Sequence, residues 1–257
     1  MATVNPSASI IIFLILTLAY SIFKYYTKSP AMIKMWTIIY FLVLIIMQFF
    51  INLSMTNEIC GNTQYTIAFR TTLVPWVFIF GSMNILLMAF PSWLSPFSNT
   101  IGYFFTYVTG INSFFKSILA DRQSMKLGAD KADMMSAINN VYEDKSLLIN
   151  SMTVSNLPEW WENMKKGGLL KSGVTQEHYD ELMNYIKMKT EIASFVWYSL
   201  TGILVTSVSY NSIVNSGCSQ SVEEMEKRHN EYLEKEKQIS EENKEKVDAQ
   251  IVYKSYE

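Results

Sequence analysis

Three long apolar runs fill the first ninety residues, and they leave this chain few ways to fold. Residues 8–23 and 35–55 hold no charge at all, and 68–90 hold only Arg70. A helix needs about 20 apolar residues to cross the roughly 30 Å of bilayer hydrocarbon. Lipid offers no hydrogen-bond partners, so backbone groups must pair inside a helix or a closed barrel. Continuous apolar runs without strict alternation select the helix. Met1–Ala120 carries five Lys or Arg (Lys24, Lys28, Lys34, Arg70, Lys116) and one acid, Glu58. A soluble stretch of that length would carry about 25% charge. The expected fold class is therefore all-α: a multi-spanning transmembrane protein of four or five spans, with a small helical extramembrane domain and a polar helical tail.

The N-terminal membrane region, 1–120, divides as follows. The first span covers 8–26 and ends in an interfacial cluster of Tyr20, Lys24, Tyr25 and Tyr26. No basic stretch precedes it and no small-residue cleavage site follows, so it reads as a retained anchor. The second, 35–55, enters at Trp36 and Tyr40 and carries Gln48 and Asn52 near its exit. The third, 68–90, contains Pro75, which kinks a helix unless it falls in the first turn. Arg70 at its edge can snorkel to the interface. Pro91, Trp93 and Pro96 then predict a turn held among the headgroups, with Asn99 or Thr100 capping the next helix.

Residues 100–120 admit two readings. Ile101, Phe104, Phe105, Val108, Ile111, Phe115, Ile118 and Leu119 recur at helical spacing on one face, with polar residues opposite. That pattern fits a helix lying in the interface. It fits equally a spanning helix whose polar side is turned into a bundle.

Residues 121–191 are charged, with nine basic and eleven acidic side chains, and read as a small helical extramembrane domain. Helices are predicted over 132–142, over 146–152 and from Pro158 to a break at Gly167 and Gly168. Thr175 looks like the N-cap of a further helix, with Glu177 in its first turn. That pattern runs unbroken into the final span, 192–214, whose many Ser, Thr and Gly residues permit close helix packing. The tail, 219–257, has seven basic and eleven acidic residues and predicts a solvated helical segment with only a brief apolar stripe.

Lys24, Lys28 and Lys34 are candidate interface anchors. They share a loop without acids, which the positive-inside rule places in the cytoplasm. Trp93, Trp160 and Trp161 are further candidates. The tryptophan pair beside Lys165 and Lys166 can equally fill the core of the small domain. Cys60 and Cys218 are the only cysteines. With four spans they emerge on the same side and can form a disulfide. With five they emerge on opposite sides and are unrelated thiols.

No catalytic, cofactor or metal site is legible. His178 and His229 lie in charged helical stretches without partners at metal-ligand spacing. There is no nucleophile motif and no phosphate-binding glycine loop. A net charge of −2 gives no footprint for nucleic acid. The chain does not read as an enzyme. Charged residues inside spans usually mark transport pathways, and they are nearly absent here. The alternative function, a channel or transporter subunit, would use the small polar face of 192–214.

Phe90-Pro91-Ser92-Trp93-Leu94-Ser95-Pro96-Phe97-Ser98-Asn99-Thr100-Ile101-Gly102-Tyr103 carries a family likeness. So do Val141-Tyr142, 146–150, and 195–202 leading to Ser209-Tyr210-Asn211 and Cys218. Between about Arg70 and Cys218 the chain resembles membrane proteins of nucleocytoplasmic large DNA viruses, of the algal-virus and mimivirus type. The resemblance implies a structural protein of the virion inner membrane, derived from host endomembrane, which links that membrane to the capsid or shapes it. It brings no catalytic residues. The bilayer is the expected partner, and 121–191 and 219–257 would contact other membrane or capsid proteins.

Overall fold

A computed structural model describes residues 6–120, 143–218 and 222–252. The fold is all-α and multi-spanning, and no strand occurs among the described residues. The chain divides into two units, Met1–Asn215 and Ser216–Glu257.

In the first unit α1 spans Pro6–Tyr26 and α2 spans Pro30–Cys60. The third crossing is composite: α3 (Tyr65–Leu73), a π turn (Val74–Phe80) and α4 (Gly81–Ala89). Pro75 is not in its first turn. Pro75 has no N–H, and its ring crowds the preceding turn, so the helix is widened locally and not broken. The fourth long helix is continuous from Gln176 to Val214. These four stretches are long and apolar enough to cross a membrane.

The region after α4 resolves the two readings of 100–120. A 3-10 turn (Pro91–Leu94), the short α5 (Ser95–Phe97), a π turn (Ser98–Gly102) and α6 (Tyr103–Val108) lead to Gly110. Gly110 adopts φ +106, a left-handed conformation that a side chain would strain. There the chain turns into α7 (Ile111–Ile118). No piece is long enough to span. Nor does the stretch form one continuous helix, because it breaks at Gly110 and α7 packs into a cluster with Leu157, Trp161 and Leu182. Asn99 and Thr100 do not cap a new helix either. The helical backbone runs through them, Thr100 bonding back to Pro96 O.

α8 (Ser146–Ser151) and α9 (Leu157–Lys166) follow, with Pro158 in the first turn of α9. The helix expected over 132–142 lies outside the described residues. The Asp144 carboxylate accepts from Ser146 N–H at 2.9 Å ahead of α8. Its hydrogen bonds with Ser146 hold that carboxyl below its usual range.

The long helix, α10 (Gln176–Val214), starts at Thr175, which forms a capping box with His178. His178 Nδ1 lies 3.0 Å from the Thr175 hydroxyl and accepts from its N–H. That is a structural task for a surface histidine. One buried stripe then runs the length of α10: Leu182, Ile186, Lys189, Ala193, Tyr198, Gly202, Val205, Ser209 and Ile213. Its two halves serve two cores. The N-terminal half joins Ile111, Phe115, Ile118, Ile149, Leu157 and Trp161 in an aliphatic cluster. The C-terminal half joins Phe13, Tyr20, Tyr40, Leu44, Trp76 and Phe80 in an aromatic one.

In the second unit α11 (Val222–Val252) is a single helix of 31 residues. Its described side chains are exposed, including Met225 and Tyr232 from the apolar stripe.

Candidate functional site

The most unusual chemistry lies where the two cores meet on α10. Lys189 is 2% exposed. Among the described residues no carboxylate pairs with it. Its ammonium instead donates to Ile149 O near the end of α8 and to Asn99 Oδ1 at 3.3 Å. The carbonyls at a helix end carry partial negative charge, so a cation is favourable there. The π turn lies against the same residue. A Cβ on Gly102 would stand 2.5 Å from Lys189 O, so only glycine allows this approach. Lys189 thus pins α8 and the 98–102 turn to the helix that enters the membrane. Tyr103, next in the chain, packs on the adjoining core. Burial raises its phenol, helped by the Asp144 carboxylate.

Two residues further along α10, Lys24 of α1 pairs with Glu191 at 2.8 Å. This is the ion pair that sets the level of α1 against α10. The 23 steps from Glu191 to Val214 rise about 35 Å, enough to cross the hydrocarbon. The turns before Glu191 project beyond it and carry the other core.

Inside the bundle, polar side chains join the helices. Thr17 donates its hydroxyl proton to Phe13 O, so the 2.8 Å contact with Tyr40 has the phenol as donor. Thr37 likewise donates to Ile33 O and accepts from Tyr20, and Thr72 donates to Ala68 O and accepts from Asn52 Nδ2. In each case a threonine satisfies its proton on its own helix and offers its lone pair to a neighbour. Ser9 donates to Gln48 Oε1 at 2.8 Å. Gly202 permits close approach: a Cβ there would meet the Phe13 ring at 2.0 Å. Phe13 in turn packs on Trp76 and Phe80, ring centroids 5.5 and 6.2 Å away. Within the bundle helices, Gln48 Nε2, Thr206 Oγ1 and Ser209 Oγ are buried without a hydrogen-bond partner among the described residues.

The candidate anchors separate. Lys28 and Lys34 are exposed. Trp93 is exposed, stacks on Phe90 and approaches Trp197. Trp161 is not an interface anchor. It is buried in the extramembrane core, with Lys165 Nζ 5.7 Å from its ring centroid, and Trp160 is half-buried against the same cluster. Cys60 is buried at the end of α2, and both Cys60 and Cys218 are disulfide-bonded. Among the described residues no three His, Cys, Asp or Glu gather into a metal-binding group.

Sequence reading missed Lys189 because the residues around it are charged. The signal was present, since Leu182, Ile186, Lys189 and Ala193 keep one helical face. The rungs were half visible: Gln48 and Asn52 stood out, but their partners Ser9 and Thr72 did not.

Compared with protein-family models, curated proteins and solved structures, the chain matches none.

Proposed function

We propose that this is a structural membrane protein that works by binding, not by catalysis. Its task is to hold a compact helical module rigidly against one face of a bilayer. The single observation that carries this reading is the continuity of α10 through both cores, locked at the junction by Lys189. A hinged linker would let the module move, whereas a packed helix transmits position. The charged segments 121–191 and 219–257 are the contacts offered to other membrane or capsid proteins. The further step, to the inner membrane of a large DNA virus, rests on the resemblance of 90–103 and 195–202 alone.

A second reading, a channel or transporter subunit, is favoured by the unpartnered polar atoms of Gln48, Thr206 and Ser209 inside the bundle. Polar groups buried at membrane depth commonly line pathways. Ion flux in reconstituted vesicles separates the two. A scaffold gives the background of empty vesicles. A flux that Gln48→Leu abolishes would replace the scaffold reading by the transport one.

A further inference from the structure

Between α2 and α4 the bundle bears an apolar groove of about 260 Å³. Tyr40, Phe80 and Tyr198 form its floor, and Ile38, Leu42, Ile85 and Met88 its walls. Gly81 leaves part of it open, since it contributes no side chain. The polar residues around it are turned inward: Thr37 bonds Ile33 O and Tyr20, Tyr40 bonds Thr17, and the Asn84 amide nitrogen bonds Phe80 O. The groove therefore presents hydrocarbon to whatever fills it.

Its depth is set by α2. Lys34 lies one turn before Ile38 on the same helix face. Ile38 is roughly 6 Å deeper than Lys34 and Leu42 roughly 12 Å deeper. Lys34 is also within a turn of the level of Lys24, because the Tyr20–Thr37 bond fixes α1 against α2. Lys24 is neutralised by Glu191, while Lys34 is exposed and has no ion-pair partner among the described residues. The turn between α1 and α2 contains no acid. A positive charge thus stands over the mouth of a hydrocarbon slot at headgroup height.

We infer that this groove holds an acyl chain of a phospholipid whose anionic headgroup rests on Lys34. The inference depends on the membrane reading above. Lysine binds phosphate as a compact point charge, and each lysine near the surface favours anionic lipid by about 1 kcal/mol, roughly fivefold.

The test reconstitutes the full chain into vesicles of equimolar phosphatidylglycerol and phosphatidylcholine. The vesicles are pelleted after an alkaline wash, and the chain is then extracted gently and its retained lipid read by native mass spectrometry. The expected result is one phospholipid per chain, enriched about fivefold in phosphatidylglycerol. Lys34→Glu should remove the enrichment but keep a bound lipid. Ile85→Trp should fill the groove and empty it of lipid. Ile85 is 67% exposed, so that substitution leaves the bundle packing intact. Leu204→Trp, exposed on α10 away from the groove, should change nothing. Equal retention of the two lipids by the wild type would overturn the inference, as would Ile85→Trp retaining lipid normally. Loss of a dimer in Ile85→Trp would also overturn it by naming another occupant. In all these cases the chain stays in the pellet. Loss of the chain from the pellet would instead overturn the membrane reading itself.

Discussion

The two cores on α10 are built by opposite rules. Around Leu157 and Ile118 apolar residues go inside and charges go outside, as in any water-soluble domain. Around Phe13 and Trp76 the helices turn Ile11, Ile15, Leu42, Ile46 and Phe78 outward, while Ser9, Thr17, Gln48, Asn52, Thr56 and Thr72 are buried. Water drives the first arrangement, because burying apolar area is what stabilises it. In lipid that drive is absent between helices, and association rests on close packing and interhelical hydrogen bonds. One helix obeys both rules along a single stripe, changing at Lys189.

The sharpest way to break this contrast is to make matched truncations in the two regions. Leu157→Ala empties a site in the aliphatic core and should cost about 2–5 kcal/mol. Leu42→Ala on the outer face of the bundle should cost less than about 0.5 kcal/mol. Chemical unfolding in mild detergent measures both. Similar costs would mean that the outer face of the bundle is packed against protein. Next in size is Gly202→Leu, which drives a side chain into the Phe13 ring. It should destabilise the bundle by about 1–3 kcal/mol, and adding Phe13→Ala should recover part of that loss. A smaller effect is expected for the Ser9–Gln48 rung. A double-mutant cycle with Ser9→Ala and Gln48→Leu should give a coupling near 0.6 kcal/mol. A comparably small effect is expected for Lys24→Met. The pair with Glu191 is about one-fifth exposed on each side, so at most about 1 kcal/mol is lost. The difference between Lys24→Met and the wild type should shrink further in high salt.

What was legible in the sequence follows the same division. Spans announce themselves because lipid demands long uncharged runs, so 8–26, 35–55 and 68–90 fall close to α1, α2 and α3–α4. The Thr175 start of α10 was legible too, because capping chemistry is local. Residues 100–120 were not, because the same amphipathic pattern serves an interface, a bundle or a soluble core. Only the left-handed turn at Gly110 and the partners of Phe115 and Ile118 decide among them. Trp161 was ambiguous for a related reason: an aromatic beside lysines suits a headgroup layer or a core equally. Lys189 was hidden because a buried cation held by a backbone carbonyl and an amide oxygen follows no sequence motif.

Single cysteines introduced at Lys28, Thr63 and Lys166 test the central claim most directly, because the native cysteines, both disulfide-bonded, do not react without reductant. In sealed vesicles of one orientation, an impermeant maleimide should label positions 28 and 166 from the same side and position 63 only from the other. Labelling of 28 and 166 from opposite sides would contradict a helix that carries both cores and crosses once.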